Sequence, residues 1–167
     1  MEFSTWTYRN EESLIYLERV PNYYERELEE GDQRQGRVTF VCARKVDEIF
    51  GPESRFSVSW ESKPPLEYHH GKAVRDSIKQ WSAIEVNVER RESAWINRHE
   101  CEIWYGRRTK MQQKRVYQTG IIHALFYCDT SQRFFEVHGE TTFQFRDNYN
   151  NLITSAFNSI QCHPGQY

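Results

Sequence analysis

The sequence predicts an α+β protein, a three-layer α/β/α sandwich around a central antiparallel sheet, and three observations carry that expectation. Short runs with period-two apolar alternation recur through the middle of the chain, turn residues separate them, and two segments switch to the 3.6-residue spacing of a helix. The segment Ile121–Cys128 is almost wholly apolar, which predicts a central strand covered on both faces.

Taken in order, Leu14–Leu17 is a short apolar run ending before Pro21, and Asn22–Leu28 carries strand and helix signals at once, so its state stays open. In Arg37–Arg44, Val38, Phe40 and Cys42 alternate with Thr39, Val41 and Ala43, and in Arg55–Glu61, Phe56, Val58 and Trp60 alternate with Ser57, Ser59 and Glu61. These strands should pair across a turn at Phe50–Ser54. After Pro64 and Pro65, the spacing of Ala73, Val74, Ile78 and Trp81 predicts a helix over 70–81. Ile84, Val86 and Val88 then alternate as a strand, followed by strands at Glu100–Tyr105 and Val116–Cys128 joined by a long solvated hairpin over Gly106–Arg115. A turn at Asp129–Gln132 leads into a strand at Arg133–His138. Thr141 with Gln144 reads as a capping box opening a final helix, whose apolar stripe includes Phe145, Tyr149, Leu152, Ile153, Ala156, Phe157 and Ile160.

At 167 residues, with 38% hydrophobic and 15% aromatic residues, the chain should form one domain over 1–167 with a core that needs no staples. A net charge of −2 argues against a dedicated nucleic-acid binder. The charge is uneven: nine acids against three bases give residues 1–32 a net of −6 and leave about +4 for the rest. With no apolar run long enough to span a bilayer and no signal-peptide pattern, the chain reads as soluble and cytoplasmic. Cys42, Cys101, Cys128 and Cys162 lie far apart without CxxC pairs and read as buried free thiols.

Phe56–Trp60, Phe126–Val137 and Ser155–His163, together with the order of strands and helices, resemble the Mog/PsbP-like family over about residues 12–163. The resemblance is strongest to uncharacterised prokaryotic members and implies a fold without an activity; the named relatives act by docking. No Ran-contact or manganese-site residue matches position by position. The resemblance also raises a disulfide between Cys128 and Cys162, closing about 34 residues and contributing roughly 3–4 kcal/mol, while a reducing cytosol would keep both as thiols.

Arg107, Arg108, Lys110, Lys114 and Arg115, flanked by Tyr105 and Tyr117, could neutralise phosphates beside stacking surfaces. The same cluster also reads as a solvated hairpin tip, or as a contact for an acidic partner, including the acidic N-terminal segment of a second copy. His69, His70, His99, His123, His138 and His163 are scattered without local ligand spacing, so no metal or cofactor is expected, although His99 and Cys101 share a strand face. His123 with Tyr127 could do acid–base work, but a histidine on an apolar strand is more often a core residue. No nucleophile elbow or phosphate-cradling glycine loop is present. The expectation is a non-enzymatic protein-binding or accessory domain, with Trp6, Tyr8, Tyr23, Tyr24 and Trp95 as candidate anchors, and with weak nucleic-acid binding through 106–115 as the alternative.

Overall fold

A computed structural model describes residues 4–42 and 54–163. Its order is β1 (Thr5–Asn10), β2 (Ile15–Pro21), β3 (Tyr24–Gly31), β4 (Gln35–Cys42), β5 (Arg55–Ser62), α1 (His70–Ala83), β6 (Asn87–Ile96), β7 (His99–Gln112), β8 (Arg115–Cys128), β9 (Arg133–Thr142), α2 (Arg146–Phe157) and β10 (Ile160–Gln161). Seven strands form an antiparallel sheet in the order β3-β4-β5-β9-β8-β7-β6, and β1-β2-β10 form a second sheet.

The three-layer α/β/α sandwich is not what forms. Strands take 58% of the structure against 22% in helices, so the protein is mostly β with two antiparallel sheets. The cause lies in segments whose strand state is invisible locally. Residues 5–21 fold back as a hairpin, and the two-residue β10 joins it, building the second sheet beside α2. Strand β3 is exposed almost throughout, so no alternation marks it, and it becomes a strand by pairing with β4.

One core fills the space between the inner face of the large sheet and the layer made by the small sheet and α2. Phe40, Phe56, Val58, Phe126, Phe135 and Val137 meet Ile15, Leu17 and Val20 of β2 and Tyr149, Leu152, Ile153 and Phe157 of α2. Phe40 stacks on Phe56 at 4.8 Å and Phe126 on Phe135 at 4.9 Å, adding to the burial of each ring. Gly139 is required here: a Cβ would strike the hydroxyl of Tyr149, which donates to the Arg55 carbonyl across the core. On the other face, α1 buries Val74 against Leu125 and Phe134, while Val86, Trp104 and Ile121 form a neighbouring cluster under Trp81.

The central position of β8 is as expected, with Ile121–Phe126 buried throughout between β9 and β7. The β4–β5 pairing also forms, Val38 opposite Val58 and Phe40 opposite Phe56, while nearly all of the expected Phe50–Ser54 turn lies outside the described residues. Three local expectations are corrected. Residues 106–115 are not a loop: β7 and β8 extend through them to a two-residue turn at Gln113 and Lys114, both at positive φ. The strand expected from Ile84 starts at Asn87, because α1 runs on to Ala83. Thr141 lies buried in β9 and is not the N-cap of α2, which starts at Arg146 after Phe145 without a side-chain cap. No helix among the described residues is long and apolar enough to cross a membrane.

Candidate functional site

Among the described residues α1 packs on β6 and β8, and the outward side chains of β3, β4 and β5 are half-buried or exposed. Along β4 and β5 the inward residues are buried, while Arg37, Thr39, Arg55, Ser57, Ser59 and Glu61 are half-buried or exposed. One end of this face forms a groove of about 760 Å³, whose lining includes Arg34, Arg37, Ser59, Glu61, Phe134 and Glu136. Its wall is the β3–β4 turn, held by the Asp32 carboxylate accepting from the backbone N–H groups of Arg34 and Gln35 and by the Trp60 indole donating to the Asp32 carbonyl at 2.7 Å.

Beside the groove, His123 and His138 sit opposite each other on β8 and β9, with ring Nδ1 atoms 3.0 Å apart. His123 Nε2 lies 3.0 Å from the Glu136 carboxylate. The contact with Glu136 is a hydrogen bond only when His123 donates through Nε2, and in the contact between the two Nδ1 atoms one ring donates and the other accepts. Trp104 stacks on His123 at 5.0 Å and Trp81 of α1 stacks on His138 at 4.3 Å. Burial, then the neighbouring His123 and the cations of Arg108, Arg37 and Lys110, hold His138 well below the ordinary imidazole range. The set is a packed polar network in which His123 is a buried histidine with polar partners, while Tyr127, the neighbour weighed for acid–base work, donates to the Lys63 carbonyl at 2.5 Å and stacks on Tyr68.

Of the five aromatic candidates, Tyr8 and Tyr24 belong to the core, with hydroxyls bonded to Glu29 and Ser54. Trp6, donating to the Tyr24 carbonyl, and Tyr23 pack half-buried against the core, and Trp95 on the edge strand β6 is 68% exposed. The basic cluster is largely occupied. Arg107 pairs with Glu89 at 3.1 Å, and Arg108 and Lys110 both pair with Glu140, which is only 4% exposed. Lys114 and Arg115 stand exposed at the hairpin tip.

A second constellation was not legible from local spacing. His99 at the start of β7, Cys128 at the end of β8, and Cys162 and His163 just after β10 bring their ligand-type atoms within 4.8 Å of one another. The thiols are fully buried and the imidazoles half-buried. The Asn97 side chain donates to the Ile160 carbonyl at 2.7 Å, and the Arg133 guanidinium donates to the Cys162 carbonyl at 2.6 Å, which docks the C-terminal segment on the strand ends. Cys128 is pushed down to about 3 by the hydrogen bond from Cys162, with help from His99 and the Ser131 N–H and against the opposing effect of burial. His99 is shifted up: burial acts against the charged ring, and the contact with Cys128 outweighs it. The sulfurs of Cys128 and Cys162 stand as two thiols in this structure. Cys101, on the same strand face as His99, stays outside the group, and burial pushes its thiol up to about 12.

No family model matches the chain, and no curated protein matches its sequence. Among solved structures it is similar to PA94 of Pseudomonas aeruginosa, a protein of unknown function, at 12% identity and a TM-score of 0.58 over 95% of this chain and 97% of that one. It is also similar to a Bacteroides thetaiotaomicron protein at 11% identity and a TM-score of 0.53, covering 98% of this chain and 50% of that one. At these identities the likeness is one of fold, and it does not bear on the resemblance to the Mog/PsbP-like family.

Proposed function

We propose that this chain is a non-enzymatic binding domain of a reducing, cytoplasmic compartment that holds a polypeptide partner against the open face of its large sheet. The observation that carries this reading is the uneven cover of that sheet: α1 lies over β6 and β8, and the face of β3, β4 and β5 is left half-exposed. The floor alternates hydrogen-bonding and charged side chains, Arg37, Ser57, Ser59 and Glu136, beside the ring of Phe134. Such a surface suits a polar chain segment that offers amide and carboxylate groups along its length, and it lacks the enclosure that a small-molecule site needs. The His123–His138 pair supports a rigid floor rather than a reaction, because Trp104 and Trp81 stack on its rings.

The test places a photoactivatable cross-linking residue at Ser57 or Ser59 in the source cell, with Lys79 on the exposed side of α1 as control. The expected result is one dominant cross-linked polypeptide at both sheet positions, lost when Arg37→Glu is added. Equal cross-linking at Lys79, or none at either sheet position, would overturn the reading.

A further inference from the structure

We propose that His99, Cys128, Cys162 and His163 form a closed, four-coordinate zinc site that clamps the C-terminal segment and the small sheet to the end of β7 and β8.

The donor set comes first. Two thiolates and two imidazoles match the structural zinc pattern, and their softness disfavours magnesium or calcium, which take oxygen ligands. No carboxylate belongs to the group. Two thiolates also balance the charge of a divalent ion, so a filled site is neutral where the sulfurs are fully buried.

The geometry agrees. Zinc–sulfur bonds of about 2.3 Å and zinc–nitrogen bonds of about 2.0 Å set the edges of a tetrahedron at roughly 3.3–3.8 Å. Cys162 Sγ and His99 Nε2 already stand 3.6 Å apart, and all four donor atoms fall within 4.8 Å, so closing on a metal takes shifts of about 1 Å or less.

The surroundings are those of ligands held in place. His99 Nδ1 lies 3.3 Å from the Ile96 carbonyl, and donation there turns Nε2 toward the sulfurs, the outer-shell contact that fixes the tautomer of a metal-bound histidine. The Ser131 backbone N–H points at Cys128 Sγ from 3.4 Å, a contact that favours the thiolate. On binding, zinc replaces the protons shared among the four side chains, and these leave to solvent past the half-exposed imidazoles. No redox step is involved.

The four ligands come from three segments separated by up to 63 residues, which explains why no CxxC or HxxxH pattern betrays them. A bridge between Cys128 and Cys162 would use the sulfurs and leave the convergence of both imidazoles without a purpose.

The experiment measures metal by plasma mass spectrometry in the full chain purified without chelator, then titrates cobalt into the reduced, metal-free protein. One zinc per chain is expected, with cobalt giving the sulfur-to-metal charge transfer and intense visible bands of a tetrahedral site. His163→Gln, at the half-exposed ligand, should keep the fold by circular dichroism and weaken cobalt binding by more than about tenfold; Cys128→Ser should abolish the charge-transfer band. Substoichiometric metal with no tetrahedral cobalt spectrum would overturn the proposal. So would a Cys128–Cys162 disulfide in protein whose thiols were alkylated at lysis, or a His163→Gln variant that binds cobalt as tightly as the parent.

Discussion

Arg133 should be the side chain whose loss costs this fold most for its size, and Arg133→Met tests that directly. It is 3% exposed, and its guanidinium donates to the Ser13 carbonyl at 2.6 Å, the Leu14 carbonyl at 3.1 Å and the Cys162 carbonyl at 2.6 Å while lying over the ring of Phe135. One side chain on β9 thus ties the β1–β2 turn and the segment after β10 to the large sheet. Hydrogen bonds from a charged donor contribute about 1.5–3 kcal/mol each, and removing the donor strands buried carbonyls, whereas methionine returns the cost of burying a charge. The balance is a loss of about 3–5 kcal/mol, a large share of the roughly 5–15 kcal/mol by which a domain is stable. For a chain of this length that lowers Tm by about 6–20 °C. Urea unfolding and thermal melts followed by circular dichroism give the number. Arg133→Lys should recover only a part, since one ammonium cannot reach three carbonyls from a fixed fork. If Arg133→Met falls within about 1 kcal/mol of the parent, the reasoning that this guanidinium joins the two sheets is wrong.

Other outcomes follow from the same contacts. Arg108→Glu should destabilise by roughly 2–4 kcal/mol, because it sets a second acid against the buried Glu140, whereas Lys114→Glu at the hairpin tip should stay within about 0.5 kcal/mol by urea melts. Gly139→Ala should cost about 1–3 kcal/mol through the clash with Tyr149 and Ile122, and Gly139→Ala combined with Tyr149→Phe should recover part of it. Stability should fall as pH drops below 6.5: the unfolded chain takes up a proton on His138 there, while the folded chain, with His138 held down by burial and by His123, Arg108, Arg37 and Lys110, resists it. The slope from this group is at most about 1.4 kcal/mol per pH unit, and a His138→Gln variant with the same slope between pH 5 and 7 would contradict that assignment.

How far each element could be read depends on which face it buries. In β4 and β5 one face is core and the other is wet, so Val38, Phe40, Phe56 and Val58 print a period of two on the chain. In β8 both faces are covered and the run is continuously apolar. The outer strands leave no such mark: β3 is buried at Tyr24 alone, and β6 mostly at its last residue, so pairing with a neighbour makes them strands. Tyr8 and Tyr24, proposed as exposed anchors from residue type, lie in the core because the β1–β2 hairpin folds onto the inner face of the large sheet. Arg107, Arg108 and Lys110 looked like free charge only because Glu89 and Glu140, their partners, sit on other strands.

By itself, then, the order of residues determined the central strand, the β4–β5 ladder, the two amphipathic helices and the excess of acid near the N-terminus, since each depends on neighbours within a few residues. Tertiary structure alone decided that the second layer is a sheet with one helix, that α1 covers the outer face over β6 and β8 while the described outward residues of β4 and β5 are half-buried or exposed, and that two cysteines meet two histidines. Those are matters of register and of docking between segments far apart in the chain, and local periodicity carries no record of which distant strand will supply the hydrogen bonds or the facing side chain.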